Sequence, residues 1–225
     1  MISNYENNIY RGCVTIGRMA PDFTALSTDG PLTLSQYRGK WVILISEPAV
    51  FAAIPTTSLV TLAMMYDEFE KRNAQVLCVT LDNNFANIDW LMDIYDKHGI
   101  KIPFPLLEDR DKEIANKYGI VNPDRIYEQS VRDLFMINPK GRISAIITYP
   151  VSCGRNYYEV LRVLDSLQLT EAHNVYTPSN WMPGDPVIEP TPHTFNEAIE
   201  RSESGESMGL DCVSWYICYR DYDSL

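Results

Sequence analysis

Two short runs of almost wholly apolar residues, separated by a segment of helical periodicity, constrain the fold of this chain more than any other feature. The runs are Trp41–Ile45 and Gln75–Leu81, and each has the length and composition of a strand buried on both faces. Between them, residues 57–72 carry apolar side chains at helical spacing, with Thr56 or Thr57 as the N-cap. The pattern predicts a β-α-β unit with parallel strands and a right-handed crossover.

The same alternation continues towards residue 170. A second helix is predicted after Asn84, with apolar positions at Phe85, Ile88, Met92 and Tyr95. The elements predicted after it are a strand around 104–107, a hairpin of 131–137 and 142–149 turning at 138–141, and a helix over 157–167 with Tyr158, Leu161 and Leu164 on its apolar face. This order predicts an α/β sheet with helices on both faces, which is a thioredoxin-like architecture.

The composition changes after residue 170, which predicts one domain over residues 1–170 and a C-terminal arm and tail over 171–225. Five of the fourteen prolines fall within fifteen residues, at positions 178, 183, 186, 190 and 192. Such spacing predicts an extended arm (residues 177–192) that is not part of a packed sheet. The charged, Gly- and Ser-containing stretch 200–209 is predicted to be mobile.

The net charge of −11 argues against a polyanionic partner, because binding to phosphates requires clustered cations. We therefore expect neither nucleic acid nor an anionic membrane as a partner. The first residues lack a basic and then apolar export signal, and Trp41–Ile45 is too short to span a bilayer. The sequence predicts synthesis in the cytoplasm without a membrane anchor.

Five cysteines are dispersed along the chain, at positions 13, 78, 153, 212 and 218. Their number is odd, there is no Cys-x-x-Cys, and no histidine lies at ligand spacing, so the pattern predicts neither a metal site nor a secreted disulfide framework. Reduced thiols are the expectation, and only Cys212 and Cys218, beside Trp215, form a local pair. The histidines at 98, 173 and 193 are predicted to be surface or capping residues. Gly-rich phosphate loops are absent, and no cofactor is predicted.

Four separated motifs occur in the order found in peroxiredoxins. They are Gly17-Arg-Met-Ala-Pro-Asp-Phe23, Leu34-Ser-Gln-Tyr-Arg-Gly-Lys-Trp41, Val131-Arg-Asp-Leu-Phe135 and Tyr149-Pro-Val-Ser-Cys-Gly-Arg-Asn156. A fifth, Thr177–Asp185 at the start of the arm, resembles the 1-Cys subfamily. The resemblance implies a peroxiredoxin fold of the thioredoxin-like class. It also implies a homodimer formed through the arm and the hairpin end, with Tyr176 and Trp181 as anchors and a higher oligomer left open.

The resemblance also locates a reaction site whose central residues differ from the family pattern. In peroxiredoxins the segment reads Pro-x-x-x-Thr-x-x-Cys, and the cysteine thiolate in the first helical turn attacks the peroxide. Pro48 matches the first position, but Ala52 stands where Thr is expected and Pro55 stands where the peroxidatic cysteine is expected. Proline has neither a thiol nor a backbone N–H. The resemblance therefore implies a site that has lost its nucleophile.

Arg132 and Arg155 match the two arginines of the family's site, and Glu47 stands where 1-Cys members commonly have His. A buried arginine needs a partner. We expect Glu47 or another carboxylate to pair with both arginines; an adventitious anion is the alternative.

Two functions are in competition. In the first, the chain is a pseudoenzyme that serves as a structural or interaction module. In the second, it is a peroxidase for hydrogen peroxide or alkyl hydroperoxides that uses Cys153 or the Cys212/Cys218 pair. The simpler expectation is that Cys153 fills a Thr-sized site, Cys78 packs in the core, Cys13 lies near the surface, and Cys212 and Cys218 are an inherited, idle pair that could form a disulfide.

The ending Asp221-Tyr-Asp-Ser-Leu225 resembles the start of a linker. The chain is similar to the amino-terminal part of clostridial spore-coat proteins in which a peroxiredoxin domain precedes a chitinase. This similarity implies a location in the spore coat or on the spore surface, and other coat proteins as partners. A coat would also permit oxidised cysteines.

Overall fold

The computed structural model describes residues 14–121 and 132–224 of the chain. They form two compact units, Met1–Tyr157 and Tyr158–Leu225. The boundary predicted after residue 170 stays a prediction, and it falls inside the helix Tyr157–His173. The expected position of Cys13 lies outside the described residues. None of the described helices is long and apolar enough to cross a membrane.

The first unit is built on one seven-stranded sheet. Its strands are β1 (Thr24–Ser27), β2 (Gly30–Thr33), β3 (Trp41–Glu47), β4 (Ala74–Thr80), β5 (Leu106–Glu108), β6 (Arg132–Ile137) and β7 (Ile143–Tyr149). Its helices are α1 (Ala53–Met64), α2 (Tyr66–Lys71), α3 (Asn84–His98) and α4 (Glu113–Tyr118), and α5 (Tyr157–His173) begins at its end. The strand order is β2-β1-β5-β4-β3-β6-β7. A thioredoxin-like α/β fold is thus confirmed.

The centre of this sheet is the predicted β-α-β unit. β3 and β4 pair in parallel over seven residues, and all seven residues of β3 are buried. β3 also pairs with β6 in the antiparallel sense, and β6 pairs with β7 as the predicted hairpin. Strands with apolar side chains on both faces are stable only between two packed layers, so the apolar run of β3 places it in the middle of the sheet.

The helix predicted over residues 57–72 is instead two helices, and the first begins earlier than predicted. α1 starts at Ala53 after an extended Ala52, and the chain leaves the helical conformation at Met65 before α2. Pro55 is the third residue of α1, and a proline is tolerated there because the first turn has no use for its N–H. The threonines expected to cap the helix are therefore inside it.

α3 lies where it was predicted, but it presents the opposite face to the protein. Phe85, Ile88, Met92 and Tyr95 are exposed, whereas Asn87, Trp90 and Ile94 are buried. Two hydrogen bonds determine this rotation: the Thr80 hydroxyl donates to Asn87 Oδ1 at 2.7 Å, and the Trp90 indole N–H donates to Thr56 Oγ1 at 3.1 Å. The polar Asn87 therefore lies on the buried face of α3, although hydrophobic periodicity assigns its position to the surface. Tyr158 of α5 is likewise exposed, contrary to its predicted place on the apolar face.

The second unit contains more regular structure than predicted. Its elements after α5 are β8 (Val187–Ile188), α6 (Phe195–Ser204), β9 (Asp211–Ser214) and β10 (Ile217–Arg220). The proline-rich arm was predicted to stay outside any sheet, but β8 within it pairs with β10 in a three-stranded sheet of order β8-β10-β9. Two residues between prolines are enough for this pairing. Trp181, predicted to anchor a partner, is instead buried, and its indole N–H donates to the Asp185 carbonyl at 3.0 Å.

The stretch 200–209, predicted to be mobile, contains the end of α6 and a short 3-10 turn, and its mobility stays a prediction. α6 has a capping box in which the Thr194 side chain accepts from the Glu197 N–H, while the Glu197 carboxylate accepts from the Thr194 N–H. Such a box satisfies two of the free donors at a helix start. Thr194 and Glu197 stand at the spacing typical of such a box in the sequence.

Candidate functional site

The site is assembled at the edge of the sheet where β3 ends and β6 begins. Because these strands are antiparallel, with Ile45 opposite Leu134, the last residue of β3, Glu47, comes close to the first residue of β6, Arg132. The chain then passes through Pro48 and Ala52 into α1. Arg155 enters from the loop that follows β7. Residues that are far apart in the sequence are therefore neighbours here.

Glu47 is the centre of a buried group of polar side chains, which we call the Glu47 cluster: Glu47, Ser58, Arg132, Arg155 and Tyr157. Arg132 donates to both carboxylate oxygens, from Nη2 to Oε1 at 3.1 Å and from Nε to Oε2 at 3.2 Å. Arg155 Nη1 and the Ser58 hydroxyl also donate to Oε1. The side chains of Glu47 and both arginines are completely buried. The expected pairing of the two arginines with Glu47 is confirmed.

Backbone carbonyls accept further guanidinium N–H groups. Arg132 Nη1 donates to the Cys153 carbonyl at 2.7 Å, and Arg155 Nη2 donates to the carbonyls of Ser46 at 2.7 Å and Asp133 at 3.0 Å. Only Arg155 Nε, among the arginine nitrogens of this cluster, is buried without a described partner. One carboxylate thus balances two guanidinium groups with the help of carbonyl dipoles. Removal of one member of such a buried group leaves an uncompensated charge.

The first turn of α1 lies beside this cluster and offers little chemistry. Pro55 is buried in that turn, and Ala52, at the N-cap position, has no side-chain oxygen that could accept from the helix N–H groups. The Thr56 hydroxyl donates to the Ala52 carbonyl at 2.8 Å. Pro48 is partly buried in the loop before the helix, and the Val50 N–H in that loop donates to Asp82 at 3.0 Å. The turn therefore contains no ionisable side chain.

Burial and the neighbouring charges set the protonation of this site. Burial raises the pKa of Tyr157, whose hydroxyl is hydrogen-bonded to Ser58, to about 12. Burial opposes the charge on Arg155, but Glu47 together with Tyr157 and Cys78 outweighs burial and raises the pKa of that guanidinium. Burial first, and then Glu47, raise the pKa of the Cys78 thiol well above its usual range. Since the thiolate is the nucleophile, Cys78 is inert, as core packing predicts.

The other cysteines and the histidines lie elsewhere. The exposed Cys153 thiol has its described hydrogen bond to the Gly154 carbonyl, at 3.7 Å, and only the backbone of this residue contacts Arg132. Cys212 and Cys218 form a disulfide in the second unit, so the expectation of reduced thiols is wrong for this pair. The three histidines are exposed, as predicted. In the described residues no group of three or more His, Cys, Asp or Glu side chains could hold a metal ion.

Sequence reasoning identified Glu47, Arg132 and Arg155 but missed Ser58 and Tyr157. Neither of these two hydroxyl residues carries a charge, and 99 positions separate them in the chain. No spacing or pattern in a single sequence connects them. Only the approach of α1 to the start of α5 brings their hydroxyl groups together.

The fold is thioredoxin-like, and two buried arginines, Arg132 and Arg155, lie where the central strands β3 and β6 meet at their ends. Residues 16–146 match the AhpC/TSA family, and residues 166–205 match the C-terminal domain of 1-Cys peroxiredoxin. The chain is 42% identical to peroxiredoxin 2 of Caldanaerobacter subterraneus over 214 residues, which are 95% of this chain and 96% of that one. It is 40% identical to a peroxiredoxin of Aquifex aeolicus, over 90% of this chain and 95% of that one.

Solved structures of peroxiredoxins are also similar to this chain. The yeast mitochondrial 1-Cys peroxiredoxin is similar with a TM-score of 0.82 and 31% identity, over 92% of this chain and 99% of that one. Peroxiredoxin 6 of Arenicola marina is similar with a TM-score of 0.80 and 31% identity, over 92% of this chain and 98% of that one. The chain belongs to the peroxiredoxin family and carries the C-terminal domain of its 1-Cys members.

Proposed function

We propose that this chain is a peroxiredoxin-fold module without thiol-peroxidase activity, which acts as a structural or interaction domain. The observation that carries the proposal is the first turn of α1, where Pro55 stands at the position that the resemblance assigns to the peroxidatic cysteine. A thiol peroxidase needs a thiolate that attacks the distal peroxide oxygen, so that the O–O bond breaks and a sulfenic acid and an alcohol or water are formed. Residue 55 has no sulfur to perform this attack.

The pairing of the two arginines supports the proposal. In the reaction of the family, an arginine stabilises the thiolate. Here Arg132 and Arg155 both donate to Glu47 inside a fully buried cluster. The Glu47 carboxylate, instead of a thiolate, is therefore the anionic partner of both arginines. A peroxide entering this site would have to compete with a buried ion pair, which is strongly unfavourable.

The test is peroxide consumption by the purified full chain with dithiothreitol as the reductant. We expect no turnover above the reductant alone. Pro55→Cys combined with Ala52→Thr restores the missing side chains, and we expect it to create turnover. Adding Glu47→His, which releases both arginines from the carboxylate, should increase that turnover further. Ala49→Cys, which places a thiol in the exposed loop before α1, is the matched control and should remain inactive.

The competing function is a peroxidase that uses Cys153 or the Cys212/Cys218 pair. Cys153 is an exposed free thiol of the described residues. A stoichiometric peroxide pulse followed by mass spectrometry distinguishes the two functions. Selective sulfenic acid at Cys153, lost in Cys153→Ser together with turnover, would replace our proposal; even, slow oxidation of all accessible thiols agrees with it.

Two further parts of the proposal concern assembly and location. The C-terminal domain match supports a homodimer formed through the arm, and sedimentation of the full chain against a chain ending before residue 171 tests it. The similarity to spore-coat proteins supports a place in the coat. Antibody labelling of intact spores compared with vegetative cells tests this location, and signal restricted to the cytoplasm of vegetative cells would contradict it.

A further inference from the structure

The second unit carries an open groove of about 510 Å³ between α6 and the turn that connects β9 to β10. One wall is the α6 face with Phe195, Ile199 and Glu203, and the opposite wall is Trp215 in the turn. Pro192 and His193, which precede α6, close one end.

The groove exposes three large apolar side chains to water. α6 buries none of its residues, although it is strongly amphipathic. Phe195 is 80% exposed, Ile199 is 40% exposed and Trp215 is 44% exposed. The Trp215 ring also contacts the Tyr216 ring edge to face, with centroids 5.4 Å apart. Large apolar side chains gathered on one surface mark a site of interaction.

The Cys212–Cys218 disulfide closes the hairpin that forms one wall of this groove and lies against the end of the helix that forms the other. It joins β9 to β10 at the base of the turn that carries Trp215. Gly205, directly after α6, packs against it, because a Cβ placed there would lie 2.8 Å from Cys212 Sγ. The helix end and the turn are therefore held against the same covalent link. A groove formed before binding lowers the cost of ordering its partner.

Charge decides which kind of occupant fits. Residues 158–225 contain three Lys and Arg against twelve Asp and Glu, a net charge of −9. Glu203 lines the groove and makes no ion pair among the described residues, and Glu200 lies on the same helix. A second copy that docked by this same groove would bring its own Glu203 and acidic surroundings against the first, which costs binding energy. Cations next to large apolar side chains would complement the groove.

We propose that this groove docks a cationic, amphipathic peptide segment of a partner protein. Apolar side chains of the segment pack between Phe195, Ile199 and Trp215, while its Lys or Arg residues face Glu203 and the acidic surroundings. The inference rests on the proposed function, since a module without catalysis acts through what it binds. It assigns a role to the disulfide that needs no peroxidatic cysteine.

The four tryptophans make a local measurement possible. Trp41, Trp90 and Trp181 are buried, and Trp215 is the exposed one. The probe is a fluorescein-labelled synthetic peptide of about fourteen residues with Leu and Lys in helical alternation, added to the full oxidised chain. Anisotropy of the label reports binding, and acrylamide quenching of the unlabelled mixture reports shielding of Trp215. We expect saturable binding and reduced quenching.

Matched variants locate the site. Phe195→Ala should weaken binding about tenfold, as for a side chain central to an interface. Phe85→Ala, at an equally exposed phenylalanine on α3, should leave binding unchanged. A peptide with Ser in place of Leu should bind at least about tenfold more weakly. Reduction of the disulfide should weaken binding as well, because the turn that carries Trp215 loses the covalent link at its base.

Several results would overturn the inference. They are equal binding by the Phe195→Ala variant, equal or tighter binding of a peptide with Glu in place of Lys, and no binding at all. Shielding of Trp215 that increases with protein concentration in the absence of peptide, and disappears in Phe195→Ala, would show that a second copy occupies the groove. Peroxide turnover, measured with dithiothreitol in separate aliquots of the same preparation, reports on the proposed function, so that either idea can fail alone.

Discussion

The two units of this molecule differ in their net charge and in how they are stabilised. The first, Met1–Tyr157, contains sixteen Lys and Arg against eighteen Asp and Glu, and it buries Glu47 between two arginines. The second carries three Lys and Arg against twelve Asp and Glu, and a disulfide links two of its strands. A large core can enclose an ion cluster because the surrounding packing holds every partner in place. A unit of 68 residues buries less surface and gains more from a covalent link.

The largest expected effect comes from breaking the buried cluster. Glu47→Gln keeps the shape but leaves two buried guanidinium groups without a carboxylate, so we expect a loss of about 3–5 kcal/mol in the free energy of unfolding. Urea unfolding measures it. The control is Glu159→Gln, which removes the exposed partner of Arg162 and should cost less than about 1 kcal/mol. Equal, small losses in both variants would show that the cluster contributes no more than a surface pair.

The second effect concerns the disulfide. Cys212→Ser with Cys218→Ser removes a short covalent loop, and we expect the second unit to lose about 2 kcal/mol of stability. Hydrogen exchange of peptides from residues 158–225, measured in increasing urea, follows this unit alone. Cys153→Ser, at an exposed free thiol of the first unit, should change nothing. If protection fell in the first unit as well, the two units would share one unfolding transition.

The third effect compares helix caps. Thr194→Ala removes the side-chain acceptor at the start of α6, and Asn83→Ala removes the equivalent acceptor of α3, where Asn83 accepts from the Ala86 N–H at 3.0 Å. Each should cost about 1 kcal/mol. Because α6 buries no residue, its amides should exchange roughly fivefold faster, whereas α3, held by Trp90 and Ile94, should show little local change. Equal fraying of both helices would contradict this difference.

The smallest effects are those of pH, and they should have opposite signs at two carboxyl groups, one in each unit. Burial raises the pKa of Asp133, so its contribution favours folding most at low pH and is lost as the pH rises through the raised value. The backbone N–H groups of His193 and Thr194 lower the pKa of Glu197, so its contribution is present at neutral pH and is lost as the pH falls through the lowered value. The two carboxyl groups should therefore respond oppositely to acid.

Two amide variants test this opposition. Relative to the unmodified chain, Asp133→Asn should gain stability as the pH rises from about 3.5 to about 7, and Glu197→Gln should lose it over the same interval. Urea unfolding and exchange of α6 amides at the two pH values provide the measurements. Parallel trends in the two variants would mean that net charge, rather than the local partners of each carboxyl, dominates the pH response.

Much of the architecture of the first unit could be predicted from the local pattern of apolar residues. The apolar runs of β3 and β4 allow few positions other than the centre of a sheet, so the β-α-β unit was predictable. The face of α3 was not, because the apolar stripe at Phe85 and Ile88 fits a buried face as well as the observed one does. The observed face buries Trp90 and Ile94 and lets Asn87 accept from the Thr80 hydroxyl, and these contacts depend on neighbouring elements.

The second unit was harder to predict for a similar reason. Prolines in the arm argued against any sheet, yet Val187 and Ile188 pair with β10, whose strand lies about thirty residues further along the chain. Short strands owe their stability to a partner rather than to their own composition. The sequence left undecided whether Cys212 and Cys218 form a disulfide. In the structure the two residues pair across the antiparallel β9–β10 hairpin and are disulfide-bonded.

The sequence by itself determined the architecture of the first unit, the absence of a thiol at residue 55, and the excess of acidic residues in the second unit, because these follow from residue types and their local order. The tertiary structure alone decided how Ser58 and Tyr157 join Glu47, which face of α3 meets water, and that Phe195 and Trp215 line one groove. Each of these depends on contacts between distant parts of the chain, and local periodicity carries no information about such contacts.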